Sequence, residues 1–335
     1  MNVTVIGAGS WGTALAMVLA NAGNKVNIWA RESKIADNIN SRHTNGVYLP
    51  ELRLPTSIKA YSDLKASLAG ADIVVFATPS HTVRDLAGLT RPCLSGHEVI
   101  VNVAKGIEDG TFMTMTQVLA EVLEGRIVED HIGVLYGPSH AEEVSLLKPT
   151  TVVSAANSKS TAKVIQTTFM TPMFRVYVNH DVLGVEVAGS VKNILAIASG
   201  IVEGLDLGDN ATAALLTRGL AEMKRLGQRL GASQDTFSGL AGIGDLIVTC
   251  TSRHSRNRFV GYQIGKGEKL PDIVSKMEMV AEGVNTTRSV YNWSKKLNVD
   301  MPITEHVYNV LFENVNPKDA VYELMTRDPK EEILM

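Results

Sequence analysis

A chain of 335 residues exceeds the usual size of one hydrophobic core, so we expect two domains. Its formal net charge of -3 gives no general attraction to nucleic acid or anionic lipid, so any anion site must be a local group of basic side chains. Two cysteines, Cys93 and Cys250, are too few for a disulfide framework or a four-cysteine zinc site, and they predict a cytoplasmic location.

The N-terminal stretch from Asn2 to Asn24 carries no charged side chain. No basic residue precedes it, however, and the glycines at positions 7, 9 and 12 interrupt it. A signal peptide needs basic residues before its apolar stretch, and a membrane span needs a longer uninterrupted one. The sequence therefore predicts neither, and we expect no membrane insertion.

The first half alternates short apolar, β-branched runs with helical patterns. Such runs are apolar on both faces, as expected for central strands of a parallel sheet that helices cover on both sides. A further short strand is predicted near residues 173–178. The order strand, helix, strand indicates a doubly wound, Rossmann-like α/β domain. The predicted strands are residues 2–6, 25–29, 73–77, 98–102, 132–136 and 151–155.

The second half is predicted to be mainly α-helical, because long helical patterns replace the β-branched runs. We place the domain boundary at residue 180. Residues 1–180 then form the dinucleotide-binding domain, and residues 181–335 form a helical domain for substrate binding and catalysis. The predicted helices are residues 186–203, 211–230, 256–266, 286–297 and 303–313.

Residues 7–12 read GAGSWG, a GxGxxG element between a predicted strand and the helix predicted at residues 13–21. In that context Gly7, Gly9 and Gly12 allow a tight turn, close approach of a pyrophosphate, and contact between helix and strand. The N-terminus of the helix offers free amides and the positive end of its dipole to the phosphates. The motif predicts a dinucleotide site, against the simpler interpretation of a structural turn.

The end of the second strand, residues 29–32, reads WARE. NAD-binding chains often carry an acidic residue here for the ribose hydroxyls, whereas Arg31 is suited to pair with a 2′-phosphate. Our hypothesis is that NADPH is preferred, although Glu32 leaves use of NADH open. A solvated surface arginine is the alternative for Arg31.

Two strand ends carry candidate ligand-binding residues. Lys105 follows the predicted strand at residues 98–102, where ligands collect in open α/β sheets, although a surface loop lysine is the alternative. Gly137 and Ser139 follow the strand at residues 132–136. Gly137 permits close backbone approach, and Ser139 can hydrogen-bond a ligand or cap a helix.

Lys192 lies within an apolar stripe of the helix predicted at residues 186–203. A fully buried lysine is costly, so it needs a partner or a polar cavity. Burial and a neighbouring cation such as Lys105 would lower the pKa of Lys192 toward neutrality, as proton exchange requires. The alternative is a lysine that reaches solvent from the edge of the stripe. The glycine-rich helices around Lys192 are also a candidate surface for a homodimer.

Residues 239–257 contain a glycine-rich turn with Asp245, followed by a segment rich in basic residues. Ser255 is placed to cap a helix that begins at Arg256 and Asn257. The cap, the helix dipole and the guanidinium together predict a compact site for a phosphate ester. A nucleic-acid patch is disfavoured, because no aromatic side chains interleave the basic ones.

These segments resemble those of the bacterial-type NAD(P)-dependent glycerol-3-phosphate dehydrogenases, from Val5 to about Phe312. Several motifs of this length in one order are highly specific. The motifs are GAGSWGTALA from Gly7, KGIE from Lys105, GPSHAEEV from Gly137, VKNILAIASG from Val191, TRGLAEM from Thr217, GLAGIGDL from Gly239 and TCTSRHSRN from Thr249.

The resemblance implies an enzyme that interconverts dihydroxyacetone phosphate and sn-glycerol 3-phosphate and so supplies glycerophospholipid synthesis. It implies two sets of site residues. The cofactor set comprises Gly7, Gly9, Ser10, Trp11, Gly12, Arg31, Lys105, Ala141, Arg256, Val280 and Glu282. The substrate set comprises Lys105, Gly137, Ser139, Lys192, Asp245, Ser255, Arg256 and Asn257.

In the expected chemistry, NADPH or NADH delivers hydride to the ketone carbon and Lys192 exchanges the proton at its oxygen. Asp245 would hold Lys192 or a substrate hydroxyl in place, and Lys105 is a further catalytic residue. No metal is required. One alternative is another two-domain dehydrogenase, of the β-hydroxyacid dehydrogenase or ketopantoate reductase type. A non-catalytic dinucleotide sensor is a second alternative, although a sensor has no need for a lysine in a buried stripe.

Overall fold

The structure, a computed structural model, describes residues 1–277, 279–329 and 331–332. Its first half alternates strands and helices, as the sequence predicts. The strands are β1 (Asn2–Ile6), β2 (Lys25–Trp29), β3 (Thr44–Asn45), β4 (Leu49–Arg53), β5 (Lys59–Tyr61), β6 (Ile73–Phe76), β7 (Val99–Asn102), β8 (Ile132–Tyr136), β9 (Thr150–Ala156) and β10 (Phe174–Asn179). The helices are α1 (Ser10–Asn21), α2 (Ser33–Arg42), α3 (Leu64–Leu68), α4 (Val83–Thr90), α5 (Met115–Val122), α6 (Ala141–Ser145) and α7 (Lys159–Phe169).

Within the described residues, eight strands form one sheet in the order β10-β9-β8-β7-β6-β1-β2-β5, and β3 and β4 form a separate antiparallel pair. The predicted doubly wound, mostly parallel sheet is thus confirmed. One pairing differs from the expected pattern, because β9 runs antiparallel to β8 while the other neighbours are parallel. A run that is apolar on both faces reports that a strand is buried and leaves its direction open.

Both faces of the sheet are covered, which explains the apolar runs. In β6, Ile73 and Val75 belong to the core on one face, whereas Val74 and Phe76 belong to the core on the other. Side chains of a strand alternate between faces, so a strand covered on both sides must be apolar at every position. The apolar composition of the central strands therefore indicates that the sheet is covered on both faces.

The direction in which successive strands are added to the sheet reverses between β1 and β6, although these two strands run parallel. β1 pairs with β2 on one side and with β6 on the other, and the connections then lead in opposite directions across the sheet. In open α/β sheets this switch point leaves a crevice at the carboxyl ends of the strands, where ligands bind. The loops after β1, β2, β6, β7 and β8 meet at this edge.

Helices make up the second half of the described chain. The five predicted helices are confirmed, with ends that differ by a few residues. The helices are α8 (Val182–Gly204), α9 (Gly208–Leu230), α10 (Gln234–Phe237), α11 (Asp245–Thr251), α12 (Arg256–Gly265), α13 (Leu270–Ser275), α14 (Glu282–Leu297), α15 (Pro302–Phe312) and α16 (Pro317–Met325), with a π-helical segment, Leu240–Gly244, before α11. The predicted second domain also includes residues 278, 330 and 333–335, which lie outside the described residues.

Helix α8 forms the centre of this half. Asp181 caps it by accepting a hydrogen bond from the amide of Gly184, 2.9 Å away. By length and composition α8 is apolar enough to cross a membrane, but its most apolar window is entirely buried inside the protein. The chain's own elements thus cover this part of α8, and the homodimer surface suggested for the helices around Lys192 stays a prediction.

Helices α8 and α12 approach each other very closely. A Cβ at Gly200 of α8 would lie 2.0 Å from the carbonyl oxygen of Arg258, and one at Gly261 of α12 would lie 1.9 Å from that of Ile197. Only residues without a side chain permit this backbone contact. The contact fixes the N-terminus of α12 beside the middle of α8, where Lys192 lies.

Candidate active site

The loop between β1 and α1 has the geometry expected of a pyrophosphate cradle. Gly7 has a φ of +116°, and a Cβ there would lie 2.6 Å from the carbonyl oxygen of Ala77. A Cβ at Gly12 would lie 1.9 Å from the carbonyl oxygen of Gly7. A Cβ at Gly9, in contrast, would meet nothing within 4 Å, so this glycine faces open space. Gly7 and Gly12 thus shape the turn, and Gly9 leaves room for a ligand.

The same loop opens on a cavity of about 640 Å³ at the carboxyl edge of the sheet. Strand ends form one wall and the helical half forms the other. Predicted site residues on these walls are Gly7, Gly9, Ser10, Trp11, Arg31, Lys105, Ser139, Ala141, Lys192, Asp245, Ser255, Arg256, Asn257, Val280 and Glu282. Gly12 and Gly137 do not line the cavity. Gly12 packs closely against Gly7, and Gly137 packs closely against Val152.

Arg31 lies at the rim of the cavity, after β2. Its side chain is 81% exposed and forms an ion pair with Glu32, at 2.6 Å between Nη2 and Oε1. Exposed ion pairs contribute little free energy, so the guanidinium can exchange this partner for a ligand phosphate at small cost. The arrangement is therefore compatible both with a preference for NADPH through Arg31 and with use of NADH through Glu32.

A buried carboxylate joins the two candidate lysines. Asp245 Oδ1 lies 2.5 Å from Lys192 Nζ, and Asp245 Oδ2 lies 2.7 Å from Lys105 Nζ. Lys192 also donates to Thr249 Oγ1 at 2.7 Å, and Lys105 donates to the carbonyl oxygen of Gly137 at 3.1 Å. Lys192 is only 5% exposed, so the alternative of a lysine that reaches bulk solvent is wrong. Both ammonium groups are held at one point on the cavity wall.

The pKa values of these groups follow from burial and from each other's charge. Burial lowers the pKa of Lys192 to about 8; Asp245 opposes this shift and Lys105 adds to it. Burial also disfavours the ionised form of Asp245, but the two ammonium groups outweigh it and hold the pKa of Asp245 below its ordinary value. Lys192 is therefore able to exchange a proton near neutral pH while Asp245 stays ionised.

The N-terminus of α12 forms the third part of the site. Ser255 caps the helix, as predicted, by accepting a hydrogen bond from the amide of Arg258 at 3.2 Å. Arg256, at the first helical position, has an exposed side chain on the cavity wall. Asn257 is buried, and its amide accepts from the nitrogen of Gly283 at 2.9 Å and donates to Asn193 Oδ1 at 3.0 Å. Asn257 therefore also ties α12 to α8 and α14.

Ser139 and Glu282 make contacts that the sequence did not reveal. Ser139 donates to the carbonyl oxygen of Gly137 at 3.0 Å, and the helix that follows is not capped by its side chain. The carboxylate of Glu282, at the start of α14, accepts from the amide and hydroxyl of Ser80 at 2.9 and 2.5 Å. Glu282 thereby connects the helical half to the loop after β6, across the mouth of the cavity.

Sequence reasoning missed several residues on these walls. Thr249 follows Asp245 by four residues on α11, so the two share one helix face; that spacing was the available signal. Asn193 follows Lys192 directly, and its amide oxygen is the acceptor for Asn257. His140 and His254 lie with ring centres 5.8 Å apart on the same wall. Nothing in the local sequence of either histidine indicated that they meet.

Two family models together match most of the chain. The family model for the N-terminus of NAD-dependent glycerol-3-phosphate dehydrogenase matches residues 2–162, and the model for its C-terminus matches residues 181–322. The chain belongs to this family. The domain boundary at residue 180 is not tested by these matches and stays a prediction.

Individual relatives match along the whole chain. A glycerol-3-phosphate dehydrogenase [NAD(P)+] of Chlorobium phaeobacteroides strain BS1 is 53% identical over 99% of each chain. The crystal structure of glycerol-3-phosphate dehydrogenase from Coxiella burnetii is 41% identical, covers 97% of this chain and 99% of its own, and superposes with a TM-score of 0.92. A ketopantoate reductase from Ralstonia eutropha JMP134, at 16% identity and a TM-score of 0.60 over 96% of this chain and all of its own, shares the fold alone.

Proposed function

We propose that this chain is an NAD(P)H-dependent oxidoreductase that interconverts dihydroxyacetone phosphate and sn-glycerol 3-phosphate. The observation that carries the proposal is the buried Lys192–Asp245–Lys105 cluster, which lies between the glycine loop after β1 and the N-terminus of α12 in one cavity. Membership of the family adds the substrate and the cofactor named for its relatives. The product would supply glycerophospholipid synthesis.

The residues around the glycine loop fit a nicotinamide dinucleotide. Gly9 leaves open space beside the N-terminus of α1, and the described structure has no side-chain cap on that terminus. Free amides and the helix dipole would hold the pyrophosphate there. Ser10, Trp11 and Ala141 would contact the cofactor, with Val280 and Glu282 closing over it. The bound reduced cofactor supplies hydride to the ketone carbon.

The N-terminus of α12 fits the phosphate of the substrate. Arg256 offers a planar guanidinium, and Ser255 and Asn257 add polar groups beside the amides of the first turn. Ser139 and Gly137 would complete the substrate wall. With the phosphate fixed there, binding energy orients the reacting carbonyl toward the lysine cluster.

Lys192 would act as the general acid in ketone reduction. Negative charge grows on the carbonyl oxygen as hydride arrives, and the ammonium of Lys192 would give a proton to that oxygen. In alcohol oxidation the neutral amine would take the proton back. Asp245 would hold Lys192 in place, and Lys105 would add positive charge near the same oxygen.

The pKa of about 8 predicts opposite pH dependences for the two directions. Reduction needs protonated Lys192, so its kcat should fall as pH rises through about 8. Oxidation needs the neutral amine, so its kcat should rise over the same interval. Turnover measured from pH 6 to 10 in both directions, on the same preparation, tests this. Parallel profiles in the two directions would argue against Lys192 as the proton carrier.

Arg31 is expected to favour NADPH. Arg31→Glu should lower kcat/KM for NADPH by about tenfold, because a charge-assisted contact with the 2′-phosphate becomes a repulsion, and should change that for NADH much less. The matched control is Arg126→Glu. Arg126 is exposed and precedes β8, at the amino ends of the strands and away from the cavity. An unchanged ratio between the two cofactors would remove Arg31 from the cofactor site.

One assay tests the function itself. Adding dihydroxyacetone phosphate to the protein with NADPH, and separately with NADH, should oxidise the cofactor, as followed by its absorbance. A carboxylate ketone such as ketopantoate should be turned over far more slowly, since the α12 site suits a phosphate ester. Turnover of ketopantoate with none of dihydroxyacetone phosphate would overturn the proposal. Tight NADPH binding without any turnover would favour a sensor.

We also propose separate roles for the two domains and a cytoplasmic location. Residues 1–180 would bind the dinucleotide, and residues 181–335 would supply the general acid and the phosphate site. A cytoplasmic location is supported by the two unpaired cysteines. Formation of a homodimer stays a prediction.

A further inference from the structure

Tyr136 is a buried residue that contacts both the loop before Lys105 and the helix that carries Lys192. It ends β8 and is 1% exposed, so its hydroxyl must be satisfied within the protein. The hydroxyl donates to the carbonyl oxygen of Ala104 and accepts from Asn102 Nδ2 at 2.9 Å. Ala104 is the residue before Lys105. The tyrosine therefore fixes the backbone from which Lys105 projects.

The loop before Lys105 is held at more than one atom. Asn102 Nδ2 also donates to the carbonyl oxygen of Ala104 at 2.9 Å, and the amide of Ala104 donates to Asn102 Oδ1 at 3.1 Å. Both polar backbone atoms of Ala104 are thus engaged. Because these bonds are buried, the loop has little freedom to move. Tyr136 is the member of this network that comes from a different strand.

The ring of Tyr136 also contacts the lysine side chain itself. Lys105 Nζ lies 5.5 Å from the ring centre, within the range of a cation–π interaction. The next residue, Gly137, supplies the carbonyl oxygen that accepts from Lys105 Nζ. Two consecutive residues of one strand end therefore hold both the backbone and the ammonium of Lys105.

On its other side the ring packs against the helix that carries Lys192. A Cβ at Gly189 of α8 would lie 2.6 Å from Tyr136 Cδ2, so only glycine admits the ring at this point. Gly189 precedes Lys192 by three residues, about one turn earlier on the same side of the helix. The tyrosine fills the space between the Lys105 loop and the Lys192 helix.

We propose that Tyr136 is a positioning residue for the reaction, which sets the spacing of Lys105 and Lys192 on either side of Asp245 through its hydroxyl bond to Ala104 and its ring contact with Gly189. The inference rests on the proposed function. Tyr136 is not placed on the cavity wall, so it acts through the lysines and not on the substrate.

The test is the pH profile of Tyr136→Phe, which removes the hydroxyl and keeps the ring. Lys192 faces Asp245, Lys105, Cys250 and the imidazole of His140, and of these Lys105 is the cation that lowers its pKa. Without the Tyr136 hydroxyl, Lys105 should be held less firmly beside Asp245. Its positive charge would then lie farther from Lys192 on average, so the pKa of Lys192 should rise. In dihydroxyacetone phosphate reduction, the fall of kcat at alkaline pH should move to higher pH, and kcat/KM should drop about 3- to 10-fold. Because Lys105 also belongs to the expected cofactor set, the KM for NADPH should be measured in the same series, and its change should be smaller than that of kcat/KM.

The matched control is Tyr322→Phe, which removes a hydroxyl from a tyrosine that is 70% exposed on α16. It should match wild type in both profile and turnover. If Tyr136 served stability alone, the variant would yield less active protein, but the fall of kcat at alkaline pH (the pH limb) would stay where it is in wild type. An unmoved limb and unchanged kcat/KM in Tyr136→Phe would overturn the inference.

A second variant keeps the inference testable if Tyr136→Phe does not fold. Gly189→Ala should displace the ring and move the pH limb in the same direction, and its effect should vanish in a Tyr136→Leu background, where the ring is absent. An unmoved limb in Gly189→Ala, or an effect that persists without the ring, would contradict the inference. If wild type does not reduce dihydroxyacetone phosphate, the proposed function fails; active wild type with unaffected variants defeats only the role of Tyr136.

Discussion

Lys192→Met is expected to lower kcat for reduction of dihydroxyacetone phosphate by about 10²- to 10⁴-fold. Methionine fills a volume similar to that of the lysine stem but has no proton to give to the carbonyl oxygen. Asp245 keeps its bond to Lys105 at 2.7 Å, so the substitution does not leave an unpaired buried carboxylate. The measurement is turnover under saturating substrate, with NADPH binding followed separately to show that the cofactor site is intact.

Lys163→Met, on the exposed face of α7, provides the control for loss of one lysine and should retain full turnover. If Lys192→Met keeps turnover close to that of wild type, another group supplies the proton and the mechanism given above is wrong. Loss of NADPH binding together with turnover would indicate damage to the fold, and the comparison would then have to use Lys192→Arg.

Arg256→Ala is expected to raise the KM for dihydroxyacetone phosphate by about 10- to 100-fold, with a smaller effect on kcat. A charge-assisted contact is worth about 1.5–3 kcal/mol, and each 1.4 kcal/mol corresponds to a factor of ten. Because Arg256 is also expected beside the cofactor, KM for NADPH should be measured in the same series. The substrate effect should exceed the cofactor effect.

Arg253→Ala is the matched control, because Arg253 belongs to the same basic segment but is exposed and not part of the cavity wall. It should leave the KM for dihydroxyacetone phosphate unchanged. The decisive comparison uses dihydroxyacetone, which has the same ketone without the phosphate. If Arg256→Ala weakens turnover of both ketones equally, Arg256 does not bind the phosphate.

The elements of the fold were largely predictable, because burial is written into local composition. The run in β6 predicts a strand covered on both faces, and the apolar stripe around Lys192 predicts a helix with a buried face, as observed. The short edge strand β5 (KAY) was missed, since it carries too little apolar periodicity to stand out. The antiparallel pairing of β9 was missed because strand direction depends on how the chain returns to the sheet.

The site was predictable as a set of residues and much less so as an arrangement. Each of three features has a local sequence pattern: the GxGxxG loop, the lysine within an apolar helical stripe at Lys192, and the serine before a predicted helix at Ser255. The partners of these residues have none. Asp245 lies 140 residues from Lys105 and 53 from Lys192, and no pattern in the chain indicates that one carboxylate bridges both.

Amino-acid order alone established the two-part α/β and helical architecture, the dinucleotide loop and the polar groups available for chemistry. These follow from periodicity, turn residues and helix caps, which act over a few positions. Tertiary packing decided that Lys192 is paired and buried on the cavity wall, that Asn257 links three helices, and that Tyr136 fills the space between the Lys105 loop and the Lys192 helix. Such contacts join distant segments, and they depend on the close approach of backbones at Gly200 and Gly261 and of the Tyr136 ring at Gly189.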